Sequence, residues 1–393
     1  MLRPEEAVRV ILGEARRLEV ETAEVEPGLA GRVLAADALA GVSLPPFATS
    51  AMDGFAVRAA DLGDGPVAVA FRIAAGDRPS PLPEAAAAAI ATGAPLPGGA
   101  DSVVPIEDAV EEGGHLHAEA PATGAWVRAA GSDVAAGDVI LPAGATLAPA
   151  GLAALAAAGV AEVTVSRRPR LAAIATGSEL QRAGRPLEPG QIYESNLTAM
   201  AVQTARAGAE LVATEVVPDD RGEIRDAFAA GLRNADVVVS SGGVSVGPHD
   251  HVKPVLSELG VRELFWRVAH RPGKPLWFGA TADGTLVFGL PGNPVSSLVC
   301  FELFVRPALL AMQGAPPPAR ARARLAEPIA RLATRDHAVR CSLVAADDGM
   351  RLVAQSAQDS HLIAHAALAG AIAMIPAGEG VVEAGTVVEY VLL

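Results

Sequence analysis

Residues 235–250 read ADVVVSSGGVSVGPHD, an apolar run followed by a loop rich in glycine and serine. A short, continuous apolar run bounded by turn residues is typical of a strand buried on both faces of a sheet. The same pattern occurs at residues 168–180, RPRLAAIATGSEL, and helical segments lie between such runs. Apolar strands that alternate with helices predict a three-layer α/β domain with a parallel sheet, which we place at residues 169–314.

Three further regions surround this α/β domain. Residues 46–145 consist of short predicted strands broken by glycine and proline, which favours a strand-rich second domain. Residues 1–45, which begin with a predicted helix, and the returning stretch 146–168 are assigned to a first domain. Residues 315–393 begin with a proline linker and then alternate with period two between glycine turns, which predicts a small fourth β domain.

Composition and charge exclude several classes of protein. The formal net charge is −14 over 393 residues, which argues against a nucleic-acid partner because phosphate backbones require basic surfaces. Cys300 and Cys341 are the two cysteines and stand far apart, so a zinc or iron–sulfur motif is unsupported and a reducing compartment fits. The N-terminus lacks a signal-peptide pattern, and prolines interrupt the uncharged stretch 139–161, which we interpret as strand, turn and short helix. We therefore expect a cytoplasmic protein without a membrane span.

Polar loops follow the predicted strands of the α/β domain, where ligands bind in open α/β sheets. They read ATGSEL, VVPDD, SSGGVSVGPHD, RPGKP and GLPGNP, at residues 175–180, 216–220, 240–250, 271–275 and 289–294. Glycines let backbone N–H groups converge on an anion, and acids at strand ends can hold Mg²⁺ against a phosphate. The convergence of Glu179, Asp219 and Asp250 on one edge therefore favours a magnesium-assisted phosphate site.

Each of these motifs also has a purely structural interpretation. The loop 240–250 can be a glycine-rich turn in which Asp250 caps the next helix. Asp219 and Asp220 can be a solvated pair that caps the following helix, and GLPGNP can be a rigid turn from which Asn293 caps the long helix. No Walker loop, dinucleotide-binding glycine fingerprint or GxSxG elbow occurs in the sequence.

Basic residues near the fourth loop indicate an oxyanion site. Lys274 is one of two lysines among 31 basic residues, which suggests that a compact ammonium is required there. Residues 263–273 are predicted to form one strand, whose alternation places Arg267 and Arg271 on the same side. His270 would point away from them, so we expect a core or surface role for it rather than a catalytic one.

Six blocks together resemble a known family: PPFATSAMDGFAVR, IATGAPLPGGADSVVPIED, ATGSEL, SSGGVSVGPHD, RPGKPLWFG and GLPGNPVSSLVCFELFVRPAL. In order, and over nearly the whole chain, they are similar to the MoeA and gephyrin E-domain family of molybdopterin molybdenumtransferases. The resemblance implies an elongated, L-shaped subunit of four domains, the last of them a β-barrel, and a homodimer. The resemblance further implies a cleft between the third domain of one subunit and the second domain of its partner. It also implies that adenylyl-molybdopterin and molybdate give molybdenum cofactor and AMP, with Mg²⁺ as cofactor and a molybdopterin adenylyltransferase as upstream partner.

The resemblance and the loop chemistry together give a predicted set of site residues. The predicted catalytic residues are Asp53, Thr92, Asp133, Glu179, Asp219, Asp220, Asp250 and Lys274. The predicted substrate-binding residues are Thr176, Gly177, Ser241, Gly242, Gly243, Ser245, Arg267, Arg271, Pro291, Gly292, Asn293 and Ser360. Of the acids, Asp250, Glu179 and Asp219 are the predicted metal ligands. Two features depart from the family pattern: arginines replace the usual lysines at 267 and 271, and Asp359 replaces the glycine before Ser360.

Three other functions remain open at this stage. A molybdopterin adenylyltransferase uses a similar α/β domain, although residues 1–168 and the C-terminal β domain favour the insertion enzyme. A non-catalytic pterin-binding scaffold is the second alternative, and the intact set of acids argues against it. The third is tungstate in place of molybdate, because the two oxyanions have the same charge and nearly the same size.

Overall fold

The computed structural model describes residues 1–243, 251–347 and 349–393, with the side chain of Asp64 left out. Its centre is a six-stranded sheet in the order Glu210–Val217, Arg170–Thr176, Val237–Ser241, Leu286–Leu290, Trp277–Ala280 and Arg262–Trp266. The first four strands are mutually parallel, whereas Trp277–Ala280 runs antiparallel to both of its neighbours. The predicted α/β domain is confirmed, with a mixed edge in place of a fully parallel sheet.

Helices cover both faces of this sheet and bury its apolar side chains. On one face pack the helix Asn196–Arg206 and the long C-terminal helix, which comprises Pro294–Cys300, one π-helical turn Phe301–Val305, and Arg306–Gln313. On the other face pack Arg221–Asn234 and Val252–Glu258. By length and composition Pro294–Gln313 could cross a membrane, but 78% of its apolar window is buried inside the structure. Its hydrophobicity is therefore explained by the core of the α/β domain.

The predicted single strand at residues 263–273 is wrong. The strand Arg262–Trp266 ends where Arg267 adopts a left-handed conformation with φ 74°, and a separate short strand His270–Arg271 follows. The first segment pairs with Trp277–Ala280, whereas His270–Arg271 pairs with Asp336–Ala346, a strand of the C-terminal region. Pairing partners in two different regions therefore divide the predicted strand into two, and the simple alternation that placed Arg267 beside Arg271 does not hold.

The second region is built around another six-stranded sheet, in the order Ser102–Pro105, Gly54–Val57, Ala86–Ile90, Val67–Ile73, His115–Ala118 and Ala109–Glu112. Two apolar clusters lie on it, one around Phe55 and Val104 and one around Ala56 and Val103. The strand Val139–Leu141 and the helix Pro149–Ala157 follow, as predicted for the uncharged stretch at 139–161. The strand-rich architecture is confirmed, and the exact domain boundaries stay predictions.

The C-terminal region is a closed β-barrel. Its strands follow the order Asp336–Ala346, Gly349–Ala354, Ala321–Leu325, Val387–Leu392 and Ala371–Ile375, and the last pairs with the first. Small and branched side chains such as Ala373 and Leu352 fill the interior. The pairing of His270–Arg271 with the barrel joins it to the α/β domain beside the polar loops.

The N-terminal segment contributes to two parts of the molecule. The strand Val20–Glu24 pairs with the returning strand Glu162–Ser166, and their apolar side chains surround Leu155. The helix Pro4–Glu14, however, inserts Ala7 and Ile11 into the core of the α/β domain. This helix was predicted to belong to the first domain, but its buried side chains pack in the core of the α/β domain.

Candidate active site

The carboxyl ends of the parallel strands meet around a cleft of ≈ 700 Å³. The register aligns Ala175 with Ser241, and Ser241 with Leu290, so the loops that follow these strands lie side by side. Predicted and unpredicted residues line this cleft: Thr176, Gly177, Glu179, Leu180, Ile192, Asn196, Asp219, Ser241, Gly242, Gly243, Pro275, Pro291, Gly292, Asn293, Pro294 and His361. The structure thus brings all five predicted loops to this cleft. Four of them contribute one or more predicted residues, and RPGKP contributes its last proline, Pro275.

Close backbone packing requires glycine in the loop that follows Val237–Ser241. Gly242 and Gly243 have φ values of +95° and +64°, which favour glycine over residues with a Cβ. A Cβ at Gly242 would lie 2.6 Å from the Thr176 carbonyl oxygen, and one at Gly243 would collide with the Val252 side chain. The Gly242 N–H donates to the Leu290 carbonyl at 3.1 Å. The glycines therefore let this loop lie against its neighbours at the floor of the cleft.

Asn196 was missed by the sequence analysis. Its side-chain amide donates to Ser241 Oγ at 2.6 Å and to the Gly292 carbonyl at 2.9 Å, so it ties two strand-end loops together. Both donations come from Nδ2, and Oδ1 has no hydrogen-bond partner within the described residues. Asn196 begins the helix after the ATGSEL loop, a strand-to-helix position at which a polar side chain could have been suspected. Thr176 adds a buried hydroxyl that makes no hydrogen bond within the described chain.

The two described acids of the cleft, Glu179 and Asp219, lie on neighbouring loops. The Glu179 carboxylate folds back over Gly177, where a Cβ would lie 2.6 Å from Glu179 Oε2. The Asp219 N–H donates to Ser178 Oγ at 3.0 Å, and the Ser178 N–H faces Asp219 Oδ2 at 3.4 Å. These contacts hold the two loops together and leave carboxylate oxygens available at the wall of the cleft.

Asp220 has a different position from its neighbour. Its Oδ1 accepts from the Gly222 and Glu223 N–H groups at 2.8 and 3.0 Å, which makes it the N-cap of Arg221–Asn234. It does not line the cleft. For Asp220 the geometry supports the structural interpretation, and its predicted catalytic role has no support from a contact in the cleft.

A second cavity of ≈ 320 Å³ adjoins the first and shares Pro275, Pro291, Asn293 and His361 with it. Three cations, Arg271, Lys274 and Arg335, line it together with Ser296, Gln358, Asp359 and Ser360. Lys274 is exposed, and its ammonium makes no hydrogen bond within the described chain. The only carboxylate in this described lining is Asp359, whose Oδ1 lies 3.6 Å from Arg271 Nη2.

The barrel supplies part of the wall between the two cavities. The Asn293 amide donates to Ser360 Oγ at 2.8 Å, and the Ser360 carbonyl accepts from the Val295 N–H at 3.1 Å. The predicted cap of the long helix by the Asn293 side chain is therefore wrong, because that side chain is used to bind Ser360. Buried Arg340 donates to the Ala357 carbonyl at 2.6 Å and so fixes the segment of chain that leads to Ser360.

Arg267 does not join Arg271. Its guanidinium carbon lies 4.0 Å from the ring centroid of Trp266, and the ammonium of Lys253 lies 3.6 Å from the same centroid. Such cation–π contacts fix a cation against an aromatic face. Arg267 lines neither cavity, so its predicted substrate contact is not supported by the geometry.

The RPGKP loop rests on a buried histidine and thiol. His270 is fully buried, stacks on Phe304 with ring centroids 5.3 Å apart, and has Nε2 at 3.8 Å from Cys300 Sγ. A Cβ at Gly273, which has φ +100°, would collide with that sulfur. Burial, assisted by the positive charge of Arg335, lowers the pKa of His270 to about 4. The expected core role of His270 is confirmed.

The predicted residues of the second region lie apart from both cavities. Asp53 Oδ1 accepts from the Thr92 N–H at 2.8 Å, so these two residues form one exposed corner. The backbone N–H of Asp133 donates to the Leu44 carbonyl at 2.9 Å, and its side chain is exposed. Neither corner lines the cavities of the same subunit. Ser245 and Asp250 lie outside the described residues.

The residues of the cleft fit a Mg²⁺ ion that is held jointly by protein carboxylates and by the phosphates of a bound substrate. Among the described residues no group of three or more histidines, cysteines and acids is arranged to hold a metal ion by itself. Mg²⁺ in nucleotide sites, however, is usually held by one or two carboxylates together with substrate phosphates. Glu179 and Asp219 provide two such carboxylates in the larger cleft.

Comparison with known proteins identifies the family. Family models match the MoeA N-terminal region (domain I and II) at residues 2–159, a probable molybdopterin binding domain at 172–311 and the MoeA C-terminal region (domain IV) at 322–393. A molybdopterin molybdenumtransferase 2 of Mycobacterium tuberculosis is 43% identical over 74% of this chain and 75% of its own. A molybdopterin molybdenumtransferase 1 of the same species is 35% identical over 96% and 95%. The chain belongs to the molybdopterin molybdenumtransferase family.

Solved structures agree with this membership. A molybdopterin biosynthesis MoeA protein from Pyrococcus horikoshii is 26% identical, and the two chains cover each other completely with a TM-score of 0.84. The predicted family and fold class are therefore confirmed. The predicted enzyme class, a transferase of molybdenum cofactor biosynthesis, is confirmed as well.

Proposed function

We propose that this chain inserts molybdate into adenylyl-molybdopterin and releases AMP, and that the two adjoining cavities hold the two halves of this reaction. The observation that carries the proposal is their opposite charge. The larger cleft presents the carboxylates of Glu179 and Asp219, whereas the smaller cavity presents Arg271, Lys274 and Arg335. One shared wall separates them, so a pyrophosphate and a molybdate would lie close together.

The larger cleft suits the pterin and its phosphates. The unpartnered Thr176 hydroxyl offers a donor to phosphate oxygens, and Gly242 and Gly243 line the cleft beside it. Glu179 and Asp219, with Asp250 as a predicted third acid, would hold Mg²⁺ there. When bound, Mg²⁺ would neutralise negative charge on the phosphoanhydride. Asn196 keeps the two loops that flank this position at a fixed separation.

The smaller cavity suits a tetrahedral oxyanion. Lys274 provides a compact ammonium and Arg271 a planar guanidinium, and Ser360 offers a hydroxyl at the shared wall. These groups would hold molybdate and stabilise charge that develops as the phosphoanhydride is cleaved. We propose that the attacking group is water or a molybdate oxygen. Molybdate is the proposed substrate, and tungstate would satisfy the same contacts.

The second region would act across a dimer. Asp53 and Asp133 are exposed and lie apart from the cavities of their own subunit. We propose a cytoplasmic homodimer in which these acids and Thr92 of one subunit face the α/β cleft of the other and orient the attacking group. A molybdopterin adenylyltransferase would deliver the substrate. The exposed position of these acids on the surface supports this arrangement.

A reconstitution assay tests the proposed reaction. Purified protein, adenylyl-molybdopterin, Mg²⁺ and micromolar molybdate are mixed, and AMP release is followed together with cofactor activity. We expect AMP release that depends on molybdate and is lost in Asp250→Asn while the variant stays folded. Formation of adenylyl-molybdopterin from ATP and molybdopterin, without AMP release, would instead support the adenylyltransferase alternative. Pterin binding with neither reaction would support the scaffold.

A further inference from the structure

Trp126 holds an exposed indole on a left-handed backbone. It lies in the turn before the short strand Val127–Arg128, with φ +56°, and its side chain is 50% exposed. Left-handed backbone is uncommon for residues other than glycine, asparagine and aspartate, and it is an outlier for a bulky side chain. An exposed indole also adds little to a core. Two features that do not stabilise the folded chain coincide at one residue, which points to a role outside folding.

Hydrogen bonds connect this turn to the exposed corner around Asp53. The Trp126 carbonyl accepts from the Ala51 N–H at 2.8 Å, and Val127 pairs with Ser50 on the adjacent short strand. Asp53 follows two residues after Ala51, and its carboxylate accepts a backbone hydrogen bond on the same surface. A group that faces the Asp53 corner therefore also faces the turn that carries the indole.

The larger cleft has no aromatic side chain for a planar ligand. None of its described lining residues is phenylalanine, tyrosine or tryptophan, and residues 244–250, VSVGPHD, contain none either. Tyr193 follows the lining residue Ile192, but it does not line the cleft, and its hydroxyl donates to the Arg185 carbonyl at 2.8 Å. A pterin is a planar aromatic ring system, and such rings gain affinity when an aromatic side chain stacks on their face. The α/β domain alone therefore leaves the pterin of the proposed substrate without a stacking partner among these residues.

We infer that Trp126 of one subunit covers the larger cleft of the other subunit and stacks on the pterin of the substrate. This inference rests on the proposed function, because it needs the proposed dimer, in which the Asp53 corner faces the α/β cleft of the other subunit. It gives the second region a binding task in addition to the proposed orienting one: its acids orient the attacking group, and its indole holds the ring.

The first test compares Trp126→Asn and Trp126→Phe with Phe47→Asn. Phe47 is the other exposed aromatic residue of the described second region, and its side chain has a similar exposure of 48%. Binding of molybdopterin is measured by equilibrium dialysis under anaerobic conditions. We expect Trp126→Asn to weaken this binding about tenfold or more, as for loss of one stacked ring, and Trp126→Phe to keep most of the affinity.

The urea midpoint distinguishes this role from a structural one. Asparagine tolerates left-handed backbone better than tryptophan, so Trp126→Asn should unfold at the same urea concentration as the wild-type protein or at a higher one. An indole that served only the fold would give the reverse result, with a lower midpoint and unchanged affinity for molybdopterin.

Mixed dimers test whether the indole acts across subunits. When Trp126→Asn is combined with Glu179→Gln, one cleft of each mixed dimer has the native Glu179 of the first subunit and the native Trp126 of the second. Coexpression in equal amounts should recover about a quarter of the wild-type AMP release at limiting Mg²⁺ and pterin, because half of the dimers are mixed and half of their clefts are complete. No recovery above the separate variants would overturn the inference.

The outcomes also separate the inference from the proposed reaction. If Trp126→Asn binds molybdopterin as Phe47→Asn does, the inference is overturned whether or not AMP is released. If the wild-type protein binds molybdopterin more tightly than Trp126→Asn but releases no AMP, the role of Trp126 in pterin binding stands and the proposed reaction fails. Wild-type AMP release by Trp126→Asn at every pterin concentration would support the reaction and overturn the inference.

Discussion

Asp219 and Asp220 are consecutive, yet their carboxylates serve different structures. Asp219 faces the Ser178 N–H at 3.4 Å and lines the larger cleft, whereas Asp220 accepts two backbone hydrogen bonds at the start of Arg221–Asn234. The chain bends between them because the strand ends at Val217 and the helix begins at Arg221. One residue of the pair is therefore available to a ligand, and the other is used by its own helix.

Replacing each aspartate separately should give opposite results. Asp220→Ala removes an N-cap and should lower the free energy of unfolding by about 1 kcal/mol, with little change in kcat. Asp219→Asn should lower kcat while the urea midpoint changes little, because a carboxylate of the cleft is neutralised. Urea denaturation and AMP release measure the two effects. If Asp220→Ala abolishes turnover at unchanged stability, the catalytic role implied by the family resemblance applies to Asp220 after all.

Asn196→Ala should loosen the larger cleft. The variant loses the hydrogen bonds to Ser241 Oγ and the Gly292 carbonyl, so both strand-end loops lose a shared tether. We expect the KM for adenylyl-molybdopterin to rise about thirtyfold, from loss of roughly 1 kcal/mol for each of the two bonds, while the KM for molybdate stays close to that of the wild type. Asn234→Ala is the matched control, because the Asn234 amide at an exposed helix end binds the Ala230 carbonyl and no other group of the described residues. Equal effects of the two variants would contradict the proposed role of Asn196.

Gly242→Ala should damage pterin binding more than Gly184→Ala. Both glycines have positive φ, +95° and +88°, so both variants carry backbone strain of about 1–2 kcal/mol. A Cβ at Gly242 would also lie 2.6 Å from the Thr176 carbonyl oxygen, whereas a Cβ at Gly184 would have no described atom within 4 Å. The loop must therefore shift only in Gly242→Ala. Fluorescence titration with molybdopterin measures the difference, and equal affinities of both variants would show that this close approach is unimportant.

Stability should fall between pH 6.5 and pH 4. Burial lowers the pKa of His270 from its usual 6.5 to about 4, so in this range the unfolded chain binds a proton that the folded chain does not. The stability contributed by the neutral histidine is complete above pH 6.5 and decreases as the pH falls, by up to about 3 kcal/mol. The neighbouring His337 titrates in the same range and should contribute in the same direction.

His270→Leu isolates the contribution of His270 to this pH dependence. The variant should be less stable at pH 7.5, because it loses the stack on Phe304, but its urea midpoint should fall less steeply from pH 6.5 to pH 4. All other titrating groups are common to both proteins, so the difference in slope belongs to this side chain. Identical slopes would show that His270 takes up its proton in the folded state as readily as in the unfolded one.

The fold was largely predictable because its signals are local. Buried strands such as Val237–Ser241 are continuous apolar runs, and the loops after them carry the glycines and acids that converge at one edge. The antiparallel strand Trp277–Ala280 was missed because an apolar tetrapeptide after RPGKP carries no sign of its direction. The preceding strand Arg262–Trp266 runs in the same direction as the four parallel strands, so the RPGKP region still follows a carboxyl end at the same edge of the sheet.

The remaining errors concern side chains whose partners are distant in sequence. Arg267 could not be separated from Arg271 without the left-handed turn and the pairing of His270–Arg271 with the barrel. Asn293 is 67 residues from Ser360, its partner, so a local helix cap was the simpler expectation. Arg335 enters the site through domain packing, which no local pattern encodes.

The most direct test of the central claim is to separate the requirements for Mg²⁺ and for molybdate. KM values for both are measured in Glu179→Gln, which neutralises an acid of the larger cleft, and in Lys274→Gln, which neutralises a cation of the smaller cavity. We expect the first variant to raise the Mg²⁺ requirement at an unchanged KM for molybdate, and the second to do the reverse. If both variants change the same parameter, or if Lys274→Gln leaves the KM for molybdate unchanged, the two cavities do not divide the reaction as proposed.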